Sequence, residues 1–511
     1  MNYKCEANQE SANKFLNHDD EIGNKPSANF HPAELNFYDE FISNFDRTFD
    51  EQNKAEQINA LDIYFKYHST HNFIPNSEIL TNLFLQSVSK ITNILNYRDQ
   101  YSYLILQCFD ILEQLFVLQG NDPLILLNFQ ILGLMHQYLI NPKIEDIIPV
   151  LKMIYFLTKS QYNRRVFDHY QSSIFYGILK KFSTNSGIQL LTTKILINFT
   201  KVFSQLDISL KQNQSNEMLN ATIFLFSQLH NKTNIEYMIL NCSLVLLKKL
   251  IQDSLPDLQS SSISIDKSDL PDNPTHQMIS IIDYLNFLQE TVNKVITIET
   301  VLKILKEIIL KDISFYFKIN ISRIFILTKA QNANVQSHAI RFFYTLLQVI
   351  DEHNNENLTK HEIELHNEKE NAVFQEIINH ILDLRLYVRL LELMKDENYY
   401  FSKVAAIQAM DILFHYIPNN IILETFDEEI IMNLCYIIES KAKFHELVSS
   451  LSLLQKIIEF GQATEQVQFI SMAQEYLSIE RICQLKDSSK ISKICYLAKS
   501  LYEELNAYDN L

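Results

Sequence analysis

The chain has 511 residues, of which 47% are hydrophobic and 21% charged, and carries a formal charge of −17 at pH 7. That length and apolar content exclude disorder over most of the chain, and the acidity argues against a general nucleic-acid or anionic-membrane binder, since phosphate recognition starts from a basic surface. Only six glycines occur, none between Gly187 and Gly461, so the phosphate-cradling loops GxGxxG and GxxxxGK[ST] cannot be assembled. Helices joined by short polar turns are expected instead, without nucleotide-dependent catalysis.

In chain order, residues 1–31 are polar, contain Pro26 and show no apolar period. They read as a flexible tail with neither a secretory h-region nor an Arg-rich transit pattern. From residue 32 to 506 apolar residues recur at helical spacing, as in ELNFYDEFISNF and YLILQCFDILEQLFVL. Residues 123–142, PLILLNFQILGLMHQYLINP, are uncharged and about long enough to cross a bilayer. Asn128, Gln130, His136 and Gln137 would then sit in hydrocarbon, so a buried core helix is predicted and no membrane span. Three polar stretches interrupt the pattern, near 207–216, 252–277 and 351–371, and are expected to be irregular insertions. The six cysteines, Cys5, Cys108, Cys242, Cys435, Cys483 and Cys495, are scattered singly, which fits a reducing compartment, cytosol or nucleus, and no zinc motif.

Eight helical segments share one apolar pattern: CFDILEQLF, LKMIYFLT, TTKILINFT, SLVLLKKLI, VLKILKEII, AIRFFYTLL, AIQAMDILF and SLSLLQKII. The same late position in each is Gln114, Phe156, Asn198, Lys249, Glu307, Thr345, Ile412 and Lys456, at intervals of 42, 42, 51, 58, 38, 67 and 44 residues. The three longest intervals contain the three polar stretches. A repeat of about 42 residues with surface insertions matches helical solenoids of the armadillo and HEAT kind, in which each unit buries its apolar face against its neighbours.

TTKILINFT, ending near Asn198, resembles the third helix of an armadillo repeat, and SIERICQLKDSSKISKICYLAKSLYEEL resembles the closing repeat of importin-α. The resemblance to armadillo-repeat proteins, in a layout closest to importin-α, implies an all-α, right-handed superhelical solenoid whose concave groove holds an extended segment of a partner protein. It also implies a non-enzymatic adaptor, with importin-α-like nuclear transport as its most specific role. The chain departs from that family in having no Trp. Only Asn198 matches the family's Asn ladder, and the basic N-terminal arm is missing from residues 1–31.

The position four before each late one holds Asp110, Lys152, Lys194, Val245, Lys303, Arg341, Gln408 and Ser452. Residues four apart share a helix face, so Lys152, Lys194, Asn198, Lys249, Lys303 and Arg341 form the candidate partner-binding groove. Such a groove attracts acidic extended peptides by local field and charge-assisted hydrogen bonds, in a mode resembling β-catenin. The two histidines of HEIELH, His361 and His366, stand at i and i+5, whereas a zinc-protease helix needs i and i+4. His136, His230 and His415 read as packing residues, and Arg164 as a surface partner of Asp168. Neither catalytic residues nor a metal, cofactor or small-molecule substrate is expected. The competing reading is a structural scaffold or regulatory subunit of a larger assembly.

Overall fold

A computed structural model describes residues 58, 88–89, 91–97, 101, 104–118, 131–229, 234–253, 274–359, 364–395, 400–440, 442–489 and 491–508. The tail expected over 1–31 and residues 254–273 of the second expected insertion lie outside these. Every regular element among the described residues is helical, with no strand. They fall into two compact units, one ending at His169 and one starting at Tyr170.

The first unit contains α1 (Ile105–Leu118), α2 (Ile131–Ile140), α3 (Ile144–Lys159) and α4 (Asn163–His169). Helix α3 is the centre, packed against each of the other three. Its first turn carries Glu145 and Asp146 and its last Lys159, which complements the helix dipole at both ends. Within the uncharged stretch 123–142, the described part is the ten-residue α2, which buries Ile131, Leu134, Met135, Tyr138 and Leu139. The Tyr138 hydroxyl donates to the Leu95 carbonyl at 2.8 Å, and its ring meets Phe109 edge-on at 5.6 Å. A buried phenol of this kind keeps its polar end partnered. Among the described residues no helix is long and apolar enough to cross a membrane.

The second unit is a two-layered stack. One layer comprises α6 (Ser186–Thr200), α8 (Asn234–Asp253), α10 (Val295–Lys311), α12 (Ala333–Thr359), α15 (Tyr400–Leu413), α18 (Phe444–Ala463) and α21 (Ser492–Tyr508), each packed on the next. The late positions Asn198, Lys249, Glu307, Thr345, Ile412 and Lys456 lie on six of these successive helices. Their shared apolar pattern is the face that meets both neighbours and the second layer, and Phe199, Leu247, Leu305, Leu346 and Leu454 are fully buried there. Each such side chain contributes roughly 1.5–3 kcal/mol by leaving water.

The second layer holds α5 (Ser172–Lys181), α7 (Ile208–Gln228), α9 (Pro274–Thr291), α11 (Ile321–Leu327), α14 (Leu386–Lys395), α17 (Glu428–Glu439), α19 (Val467–Tyr476) and α20 (Ile479–Ser488), with α13 (Glu364–Asp383) leading into α14 and α16 (Asn419–Thr425) leading into α17. Helix starts are written in the sequence: Asn185, Asn320, Asp427 and Ser478 each accept the backbone N–H three residues on, at 3.0, 3.1, 3.3 and 3.3 Å. Arginines join members of this layer. Arg323 Nε donates to the Gln289 carbonyl at 3.1 Å, Arg389 Nη2 to that of Thr328 at 3.0 Å, and Arg481 Nε and Nη2 to those of Ile438 and Ser440 at 2.9 and 3.0 Å. Each guanidinium sits in the first turn of one helix and satisfies carbonyls at the C-terminal end of an earlier one.

Two expected insertions are corrected. Residues 208–216 form the first turns of the 21-residue α7, and the segment 351–371 is helical over 351–359 and 364–371. Over 208–216 the polar residues mostly clothe a solvated helix face instead of a loop. Two of them are buried for a purpose: Gln214, 2% exposed, accepts the Ser172 N–H at 2.9 Å and so caps α5, while the Ser215 hydroxyl donates to the Lys211 carbonyl. Glycine matters at one site. At the end of α18 a Cβ on Gly461 would stand 3.1 Å from the Gln466 carbonyl and 3.3 Å from the Phe469 ring, so the turn into α19 needs its small size.

Candidate functional site

The ladder residues separate by environment. Lys152 is exposed on α3, in the first unit, where its charge acts on Glu113, a carboxyl whose pKa burial raises. In the second unit Lys194 is half-buried on α6 and lies within electrostatic reach of Cys242 on α8. Asn198, one turn beyond Lys194, is 6% exposed, and its amide offers a partner little surface. Lys249 on α8 has its pKa lowered by burial and by the neighbouring charge of Lys201, with Asp253 opposing. Lys303 is half-buried, Arg341 is exposed, and these two converge.

They converge on His338. The adjacent helices α8, α10 and α12 bring Lys248, Lys303, Lys306 and Arg341 around this imidazole, whose pKa is pushed down to about 4 by burial and then by those four cations. Carboxylates on the same stripe are Glu299, 3.8 Å from Lys303, and Glu307, 4.0 Å from Lys306. Both separations exceed hydrogen-bond distance, and Glu307 also accepts the Gln252 amide at 3.0 Å. In a chain with an excess of acids, four cations thus meet around one imidazole on α8, α10 and α12.

Beyond α12 the same surface changes character. Lys456 on α18 donates to the Asp411 carboxylate at 2.7 Å and to the Asp411 carbonyl at 2.6 Å, and the Ser452 hydroxyl joins the same carboxylate at 2.8 Å. Gln455 bridges Glu459 and Ser500 at 2.7 and 2.8 Å, next to Glu504, whose pKa is pushed up to about 7, chiefly by burial and also by Glu459. These ladder side chains are committed to one another.

Reading strict four-residue pairs misses Lys248, Lys306 and His338. The available signal is the three-residue spacing, which places Lys306 one turn from Lys303 and His338 one turn from Arg341. His136 and His169 meet edge-on at 5.7 Å within the first unit, and Arg164 pairs with Asp168 at 2.8 Å. HEIELH lies outside the described residues at 361–363, as does His230. No group of three His, Cys, Asp or Glu able to hold a metal occurs among the described residues, and the five described cysteines are unbridged. A shallow cleft is lined by Leu229, Glu236, Tyr237, Leu240, Tyr284, Phe287 and Leu288, with the Lys294 ammonium 3.7 Å from the Tyr237 ring centre.

The stack of helices defines a protein of helical-repeat class. No family model matches the chain, and no curated protein matches it. Among solved structures it is similar to an engineered protein studied by crystallography, with 11% identity, a TM-score of 0.54 and coverage of 92% of this chain and 98% of the other. The fold is therefore shared over nearly the whole of both chains. A designed armadillo repeat protein also matches, with 13% identity, a TM-score of 0.36 and coverage of 56% of this chain and all of the other.

Proposed function

We propose that this chain is a non-enzymatic, armadillo-like adaptor that binds an extended acidic segment of a partner protein along the surface of α6, α8, α10 and α12. The observation that carries the reading is the gathering of Lys248, Lys303, Lys306 and Arg341 around a neutral His338 in a chain of net charge −17. Cations held this close repel one another, and a bound anionic segment relieves that repulsion. Layered repeats also present long continuous faces suited to extended partners. An importin-α-like transport role would require this surface to take a basic signal, which the same cations disfavour.

Titration of one Glu-rich and one Lys-rich labelled peptide against the wild type and the Lys194→Glu, Arg341→Glu double variant tests the reading. The acidic peptide should bind the wild type and weaken on the variant by roughly 2 kcal/mol, since partly exposed pairs contribute about 1 kcal/mol or less each and reversal adds repulsion. Added salt should act in the same direction. Preference of the wild type for the basic peptide would restore the importin-like role, and indifference in all four combinations would leave the scaffold reading.

A further inference from the structure

The cluster on α8, α10 and α12 has more charge than a carboxylate needs. Its geometry comes from packing: three adjacent helices bring together Lys248 on α8, Lys303 and Lys306 one turn apart on α10, and Arg341 one turn from the neutral His338 on α12. Lys248, Lys303 and Lys306 are half-buried, while Arg341 is exposed. Among the described residues, four cations gather here beside two carboxylates, Glu299 and Glu307, neither at hydrogen-bond distance from its lysine. Two positive charges therefore remain at a partly desolvated site. A single Asp or Glu side chain supplies one negative charge, whereas a phosphomonoester carries about 1.5 to 2 at neutral pH and three strong acceptor oxygens. Arginine offers such a group a planar fork, and lysines add mobile point charges.

We propose that this cluster is a subsite for a phosphorylated serine or threonine within the partner segment. It rests on the acidic-segment reading above and names the residue that anchors it. Arg341 takes two phosphate oxygens and Lys303, Lys306 and Lys248 surround the third. His338 is the built-in reporter: burial and then the four cations hold its imidazole neutral, so a bound dianion offsets the cations' share and raises its titration midpoint.

The test uses the full chain and two labelled Glu-rich decapeptides that differ only in a central serine, plain or phosphorylated, at fixed ionic strength. Phosphorylation should tighten binding by about tenfold, the effect of one to three new charge-assisted hydrogen bonds. The Lys303→Gln, Arg341→Gln double variant should weaken the plain peptide as well, but should weaken the phosphopeptide more, so that the affinity ratio between the two peptides falls from about tenfold towards one. The His338 ring resonance, followed through pH 4–8, should move its midpoint upward by at least about one unit with the phosphopeptide and by less with the plain one. Equal binding of both peptides with His338 unmoved overturns the subsite and leaves the acidic-segment reading intact. Binding of neither overturns both. A phosphate gain that survives in the double variant places the phosphate elsewhere, and phosphatidylserine vesicles that displace the phosphopeptide reassign the cluster to a membrane surface; either result overturns the proposal.

Discussion

Removing the Asp411 carboxylate tests whether Lys456 is committed within the stack. Its ammonium lies 2.7 Å from the carboxylate, and the two side chains retain 20% and 17% of their exposure. At such contact the Coulomb attraction is about 6 kcal/mol for an effective dielectric of 20, before desolvation is subtracted. Exposed pairs net about 1 kcal/mol or less and fully buried ones lose roughly 3–5 kcal/mol when one partner is removed, so a pair at one-fifth exposure belongs between them. Asp411→Ala should therefore cost about 2 kcal/mol, and Lys456→Met about 1 kcal/mol because Ser452 still donates to the carboxylate. Equilibrium urea unfolding of the wild type, both single variants and the double variant should give a coupling energy of about 1–2 kcal/mol. His415 supplies a second readout: burial and Lys456 lower its pKa while Asp411, Asp351 and Glu459 raise it, so Asp411→Asn should move its titration further down. A coupling below about 0.3 kcal/mol, with His415 unmoved, would refute the assignment and return Lys456 to the open surface.

Gln214→Ala strands the buried Ser172 N–H and should cost about 1–2 kcal/mol in urea unfolding, with Gln214→Glu, which keeps the acceptor, costing less. Glu504, raised to about 7, holds its proton in the folded chain across a range where the unfolded carboxyl has lost it. Stability should thus fall as pH rises from about 4.5 to 7, and Glu504→Gln should stabilise at pH 8 by about 1 kcal/mol after solvent screening, with little effect at pH 4, as read from melting curves. Gly461→Ala should destabilise by about 1–2 kcal/mol through its contacts with Gln466 and Phe469, measurable in the same melts.

Helical spacing made the first layer legible, because the apolar stripe that touches both neighbours and the second layer has to repeat in every unit. The polar segments were not legible by the same rule. SLKQNQSNE has the composition of a loop, yet its solvent face and its two buried polar residues suit the start of a helix that also caps α5. Lys303 and Arg341 could be singled out by position alone, whereas Lys248, Lys306 and His338 acquire their setting only when α8, α10 and α12 lie side by side. Arg323, Arg389 and Arg481 left no pattern at all, since their partners are main-chain carbonyls and a backbone acceptor has no sequence signature.

Those three arginines bear on how the stack comes apart. A row of repeats behaves as a one-dimensional lattice, in which the length that melts as one block depends on the coupling across each boundary. Where a guanidinium on α11, α14 or α20 grips main-chain carbonyls at the end of α9, α11 or α17, neither side can loosen without stranding charged hydrogen bonds, and melting there should be concerted. The boundary between α14 and α17 is built otherwise, from Lys395 against Asp427 and Glu429, side chains 30–50% exposed and open to screening by salt. Rising ionic strength should weaken this seam first, so that at high salt hydrogen exchange should divide the second layer into two independently opening blocks, one ending with Lys395 and the other beginning at Asp427.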